Sequence, residues 1–301
     1  MTTPPPSPTL ADQADRHQLY EQSVQCPQAE VDFIDRTYRD LRLKTARRLR
    51  EDFCGTAALC CEWVRRRKTN QATGIDIDPE VLDWGRSHNL ARLDEAQAKR
   101  VTLRLDNVLA VETGTQDIVC ALNFSYWLLT KRASLLTYFR QVRNSLKPDG
   151  VFFLDAYGGY DAYRLTAEER VIQGDQGLFT YIWDQAHYDP ISGRLICHIH
   201  FAFSDGSRLE QAFSYDWRLW SLARDSGVAG GGGLWPRAVL LAGLGCPGRA
   251  GWHLRARRGR RAGGGLDRLP HGGAVMTGAK GHGKRCSATP TAGRARAGRP
   301  G

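Results

Sequence analysis

"RLREDFCGTAALCCEWVRRRKTNQATGIDID", Arg48 to Asp78, is the stretch on which the fold turns. "ARRLRED" reads as a short strand, a tight turn follows at Gly55, and "GTAALCCEWVRRR" then reads as a helix. "NQATGIDID" returns to a strand, so the stretch is one strand–helix–strand unit. Parallel strands need a crossover of this length, because the chain must travel back before it can pair in the same direction. Gly55 lets backbone approach a ligand that a Cβ would block. Asp76 closes the second strand 21 residues later, the spacing at which an acid accepts bonds from ribose hydroxyls.

The same alternation extends on both sides. "PEVLDWGRSHNLARL" is a helix with Pro79 in its first turn, where a missing N–H costs nothing. "RVTLRLDNV" is a third strand. "DIVCALNFSYWLL" is a fourth, with an apolar run suited to burial on both faces. "KRASLLTYFRQVRNSLK" is a helix stopped by "PDG", and "VFFLDAY" is a fifth strand. Upstream, "HQLYEQSVQ" and "QAEVDFIDRTYRDL" read as amphipathic helices, the second with Val31, Ile34 and Tyr38 on one face. The pattern predicts an α/β fold: a Rossmann-like, doubly wound, mostly parallel sheet. After Tyr157 the period changes to two, with turns at "DPISG" and "SDGS". These are antiparallel hairpin signals, and they predict a β-rich insertion after the fifth strand, over residues 158–218, covering the mouth of the sheet.

Composition bounds the rest. Residues 1–18 are rich in Pro, Ser and Thr and read as a disordered lead, with residues 19–220 as the folded domain. No apolar run approaches the roughly 20 residues of a membrane-spanning helix, and the N-terminus has no charged or apolar signal-peptide region. The eight cysteines form no CxxC pair and no zinc spacing, which fits reduced thiols in a cytoplasmic protein. The net charge of +10 is unevenly spread: residues 1–220 carry −3, and residues 221–301 carry +13 with 21 of the 32 glycines.

That tail admits three readings. "RARRGRRAGGG" is the composition of an Arg-Gly-rich segment that binds RNA through its phosphates. Gly230 to Gly233 could cradle a phosphate, but no strand precedes them and no G-K-[ST] follows. The third reading is translation out of frame. "ARDSGVAGGGGLWP", from Ala223, can be written in codons that read P-E-I-R-E-W-L-E-E-A-G-F-G one base later. That is a helix with proline in its first turn, an apolar stripe and a glycine stop. On this frameshift reading residues 221–301 are a disordered low-complexity tail. The last helix and strands of the sheet are then missing, and the edge of the fifth strand is bare.

"EDFCGTAAL" resembles the first motif of the class I S-adenosylmethionine-dependent methyltransferases, an acid followed by a glycine turn. "GIDIDPEVL" resembles the second and "LDNV" the adenine-contacting third. "DIVCALNFSYWLL" and "LKPDGVFFLDAY" resemble the fourth strand and the approach to the fifth. Five motifs in order, from about Tyr20 to Trp220, are more specific than any one of them. The sequence departs from the usual G-x-G-x-G, with Phe53 and Ala57 at the outer positions, and this "DFCGTA" form is similar to one branch of the family.

The resemblance implies S-adenosylmethionine as cofactor and methyl transfer as activity. It implies that Glu51 and the Gly55 backbone hold the methionine end, with Phe53 and Cys54 in the same loop. Asp76 would take the ribose hydroxyls, Ile77 would lie on the adenine, Asp106 would accept from its amine beside Asn107, and Asn123 and Phe124 would lie beside the sulfonium. The acceptor is expected to be a small molecule with no obligate nucleic acid, because residues 1–220 lack a basic stripe.

A nicotinamide-binding Rossmann domain is the alternative of the same fold, but its G-x-G-x-x-G is absent. His198 and His200 share a strand face without a third ligand, so no metal site is expected. Tyr126, Trp127, Tyr157, Tyr160 and Tyr163 gather near predicted strand ends, and Tyr126 and His187 are the candidates for a catalytic base.

Overall fold

The structure, a computed structural model, describes residues 7–156 and 160–220, with the backbone of Ala238–Leu241, Ala256–Arg257 and Val275–Met276. Three helices open the chain: α1 (Leu10–Gln13), α2 (Arg16–Val24) and α3 (Pro27–Arg42). The alternating part follows as β1 (Arg48–Asp52), α4 (Ala58–Arg66), β2 (Gln71–Asp76), α5 (Pro79–His88), α6 (Glu95–Ala98) and β3 (Val101–Leu105). It ends with β4 (Gln116–Ala121), α7 (Arg132–Ser145) and β5 (Leu146–Asp155). These five strands pair in parallel in the order β3-β2-β1-β4-β5, the doubly wound sheet that the sequence predicts.

The central strands are buried on both faces, which is why they read as apolar runs and not as alternation. In β4 every residue is buried. Val119 and Ala121 join one core with Phe139, Val142 and Phe152 of α7 and β5. Ile118 and Cys120 join the other with Ile34, Trp63 and Val64 of α3 and α4. Beneath the sheet, Arg50 and Asp52 of β1 form a fully buried ion pair at 2.6 Å. Ser145 Oγ accepts from Arg50 and the Tyr138 hydroxyl donates to Asp52 (2.7 and 2.9 Å), so each partner gains a further hydrogen bond.

The insertion is a four-stranded antiparallel sheet: β6 (Thr166–Gly174), β7 (Gly177–Tyr188), β8 (Arg194–Phe203) and β9 (Arg208–Arg218), paired in that order. One face packs on α2, with Leu19 against Phe179, Tyr181, Ile199 and Phe201. The same face reaches the main core through Leu195, Cys197 and Trp217.

Three details differ from the sequence reading. The lead expected to be disordered over residues 1–18 is helical in its described part, where Leu10 and Ala11 donate their amides to Asp205 and Ser207 of the β8–β9 turn (2.8 and 3.1 Å). β4 stops at Ala121, and Ser125–Leu128 is a 3-10 turn, because two consecutive residues, Asn123 and Phe124, adopt left-handed backbone and turn the chain out of the extended repeat. The β5 edge is also not bare. β10 (Ala238–Leu241) pairs with it in parallel, and β11 (Ala256–Arg257) and β12 (Val275–Met276) extend that edge. "AVLL" is a four-residue apolar run with strand propensity, easily passed over between glycine-rich flanks. The rest of the expected disordered segments, residues 1–6 and most of 221–301, lies outside the described residues.

Candidate active site

The carboxyl ends of β1 to β5 share one edge of the sheet, where an open α/β sheet forms its ligand crevice. After β1, Phe53, Gly55 and Ala57 take left-handed backbone at alternate positions (φ 57°, 52° and 58°). Such a loop turns its amides in unusual directions, and three hydrogen bonds hold it. Cys54 N–H donates to Ile75 O (2.9 Å), Ala57 N–H to Cys54 O (2.8 Å), and Gly55 N–H to Asp76 Oδ2 (2.8 Å). Asp76 Oδ1 accepts from Asp78 N–H (3.1 Å). A carboxylate has about four acceptor positions, so both oxygens keep one for a ligand hydroxyl. Ile77, the next residue, is 70 % exposed, an apolar side chain standing open at the strand end.

Neighbouring helices brace the loop from behind. Thr56 Oγ1 donates to Glu21 of α2, and Asn89 Nδ2 donates both to Glu21 (2.6 Å) and to Thr56 O (3.0 Å). α5 comes so close that a Cβ on Gly85 would stand 2.6 Å from Thr56 O. The Phe53 ring meets Tyr138 edge-on at 5.7 Å.

Glu51 is buried and accepts a bond from the Cys60 thiol (3.1 Å). Burial pushes its carboxyl up to about 8, with the charges of Glu30 and Asp76 adding to the rise. Glu30 of α3, also buried, is pushed up to about 7 by desolvation. Burial likewise pushes the Cys54 and Cys60 thiols well up, so they are protonated and unreactive.

At the end of β3, Asp106 accepts from Arg104 (2.7 Å) and from the Asn107 N–H (2.8 Å). Asn107 Oδ1 in turn accepts from Leu109 N–H (2.9 Å). Past β4, Asn123 and Phe124 form a corner with φ 58° at both residues. The Phe124 ring stacks on Trp127 (5.1 Å) and meets Trp217 of β9 edge-on (6.3 Å). Trp217 stacks in turn on Tyr215 (4.3 Å), whose hydroxyl is hydrogen-bonded with that of Tyr20 on α2. α2 thus braces the Gly55 loop through Glu21, and the aromatic wall from the antiparallel sheet stands beside the Phe124 corner.

The structure therefore brings Glu51, Phe53, Cys54, Gly55, Asp76, Ile77, Asp106, Asn107, Asn123 and Phe124 to one edge. The two candidate bases are placed elsewhere. Tyr126 is completely buried in the core beside Trp127. His187 is exposed on the face of β7 opposite the core-facing Gln185 and Tyr188, because a bulge between Gln185 and His187 shifts the register. His198 and His200 are on that outer face too, against Ser214 and Glu210. Tyr163 lies edge-on to Tyr188 (5.2 Å), while Tyr157 and the Tyr160 side chain fall outside the described residues.

Asp155, at the end of β5, is absent from the sequence prediction. It is buried and accepts from Phe124 N–H at 2.9 Å. The rule that selects Asp76 and Asp106, an acid closing an apolar strand, selects it equally from "VFFLD".

Residues 54–152 match a family model described as a methyltransferase domain. No curated protein matches the sequence. Similar solved structures include S-adenosylmethionine-bound CalS10, an amino pentose methyltransferase from Micromonospora echinaspora. It has a TM-score of 0.59 at 15% identity, over 72% of this chain and 87% of that one. DesVI of Streptomyces venezuelae has a TM-score of 0.60 at 17% identity, over 74% and 90%. The sugar N-methyltransferase KedS8 of a Streptoalloteichus species has 0.56 at 17%, over 77% and 89%. The chain thus shares the Rossmann-like fold of these S-adenosylmethionine-dependent methyltransferases, and residues 54–152 match the methyltransferase-domain model within it.

Proposed function

We propose that the chain transfers the methyl group of S-adenosylmethionine to a small-molecule acceptor. The observation that carries this reading is the join between β1 and β2: Gly55, in left-handed backbone, donates its amide to Asp76, and Ile77 stands exposed just beyond. A carboxylate with spare acceptor positions beside an open apolar side chain suits a ribose and its base. The loop has no G-x-G-x-x-G to receive a pyrophosphate, which disfavours a dinucleotide.

In this reading Asp76 accepts from the ribose hydroxyls, Ile77 packs on the adenine, and Asp106 orients its amine while Asn107 shapes the turn. Glu51 and the Gly55 backbone hold the methionine end, with Phe53 and Cys54 forming the loop floor. Asn123 and Phe124 lie beside the reacting centre. The cofactor supplies an activated methyl on a cationic sulfur; the protein's residues supply placement and exclusion of water.

The acceptor class is supported by the neighbours that act on an amino pentose and on a sugar, and by the net −3 of residues 1–220. Among the described residues no helix is long and apolar enough to cross a membrane, and the six described cysteines are free thiols. The latter supports a cytoplasmic location.

We read the composition break at Ser221 as out-of-frame translation. The coding DNA around Ser221 to Ala223 tests that: a neighbouring frame with an early stop, or one encoding no helix, overturns it.

Calorimetry with S-adenosylmethionine tests the main reading. Binding is expected in the full chain and after deleting residues 221–301. Asp76→Ala is expected to weaken it about 10- to 100-fold, the range for bonds to a charged acceptor. No binding by the full chain, or equal binding by Asp76→Ala, overturns it. RNA binding lost on the deletion, with no cofactor binding, would point to the tail instead.

A further inference from the structure

We propose that Asp155 is a positioning residue: its carboxylate holds the Asn123–Phe124 corner in left-handed backbone and so sets the Phe124 ring between the donor side and the aromatic wall. The inference rests on the proposed donor site, because that is what places the corner beside the reacting centre.

Two consecutive non-glycine residues at φ 58° form an unfavourable conformation that the surroundings must enforce. Among the restraints on this segment are three from outside it. From β5, Asp155 Oδ1 accepts the Phe124 N–H at 2.9 Å, and the Asn123 N–H faces the same carboxylate. From the end of β9, Arg218 donates to Thr130 O (2.9 Å) and Trp220 Nε1 to Leu129 O (3.2 Å). The last two hold the far end of the loop, whereas Asp155 takes the amides of the strained residues themselves.

The choice of side chain matters. A carboxylate offers acceptors to both amides, whereas asparagine in the same place would set its NH2 against one of them. Keeping that carboxylate is costly to the fold. It is buried, its ion-pair partner is missing among the described residues, and the charged group acting on it is Glu30 of α3, of the same sign. Tyr20 of α2 is the other titratable group it faces. Burial pushes the Asp155 carboxyl up to about 7, so its hold on the corner changes within the neutral range.

Asp155→Asn in the full chain tests the assignment through two readouts. The first is the near-ultraviolet circular dichroism of the Phe124–Trp127–Trp217 cluster between pH 5 and 9. Wild type is expected to show a transition near neutrality that the variant lacks. The second is calorimetric affinity for S-adenosylmethionine, expected to fall about tenfold, the loss of one charge-assisted bond.

The same substitution in an Asn123→Gly background separates conformation from simple destabilisation. Glycine adopts positive φ at little cost, so the effect of Asp155→Asn there is expected to shrink below about threefold. An equal effect in both backgrounds, or an unchanged spectral transition in Asp155→Asn, overturns the assignment. If wild type binds no cofactor, the donor-site reading fails, and the spectral arm alone still decides whether Asp155 holds the corner.

Discussion

Replacing Glu51 by glutamine removes one ionisable group without changing the shape of the loop floor, and the consequences can be sized. Its carboxyl is pushed up to about 8 by burial, so about 0.9 of it is protonated at pH 7 and about 0.1 at pH 9. If Glu51 faces the cationic methionine end, cofactor binding favours the ionised form and expels that proton. Calorimetry in two buffers of different ionisation enthalpy counts the protons released. Wild type is expected to release about 0.9 more than Glu51→Gln at pH 7, and the difference is expected to vanish by pH 9.

Glu30 and Asp155, both pushed to about 7, add their own fractions to the total, which is why the difference between proteins is the quantity to read. The same shift governs the stability of the free protein. Because the folded value lies above the unfolded 4.5, the contribution of Glu51 is fully present below that value. It falls as pH rises to about 8 and is constant above. Between pH 5 and 8 wild type is therefore expected to lose up to about 4 kcal/mol that Glu51→Gln keeps, at about 1.4 kcal/mol per unit. Equal proton release from both proteins at pH 7 would refute the reasoning.

Two further substitutions probe what supports the site. Asp52→Asn strands the fully buried Arg50 guanidinium, and urea unfolding is expected to show a loss of about 3–5 kcal/mol; a loss below about 1 kcal/mol would mean that the network of Tyr138 and Ser145 does not depend on the pair. Gly85→Ala sets a methyl against Thr56 O, 2.6 Å from the ideal Cβ. It is expected to cost about 1–3 kcal/mol and to weaken S-adenosylmethionine binding by displacing the Gly55 loop, whereas unchanged affinity would show that the loop does not lean on α5.

The β1–α4–β2 unit was legible because two periodicities and a glycine turn coincide in it, and Asp76 followed from the spacing alone. The corner after β4 was not legible. The apolar run continues through "NFSYWLL", and nothing in residue type distinguishes Asn123 and Phe124, with φ 58°, from strand residues. What turns the chain there includes the Asp155 carboxylate, 31 residues downstream. The Arg50–Asp52 pair was hidden for the same reason. Arg50 looks like an exposed strand residue until Ser145 and Tyr138, distant in sequence, close over it. His187 failed as a candidate through a single bulge, which moves it to the outer face. Local pattern gives element type and strand ends, while side-chain orientation past a bulge or a left-handed corner depends on partners that sequence spacing does not identify.

The buried acids carry the argument one step further. Four of them are matched by a cation: Asp35 by Arg67, Asp52 by Arg50, Glu62 by Arg66 and Asp117 by Lys147. Glu30, Glu51 and Asp155 are buried as deeply, yet among the described residues none is in an ion pair. Instead Glu30 presses on both of the others and raises them. Burial favours their protonated forms, and ionising any of them without a partner costs stability. Glu51 and Asp155 lie at the ends of β1 and β5, where a bound cation would supply the missing partner. S-adenosylmethionine carries a sulfonium and an ammonium, so on the proposed reading the bound donor would supply that partner.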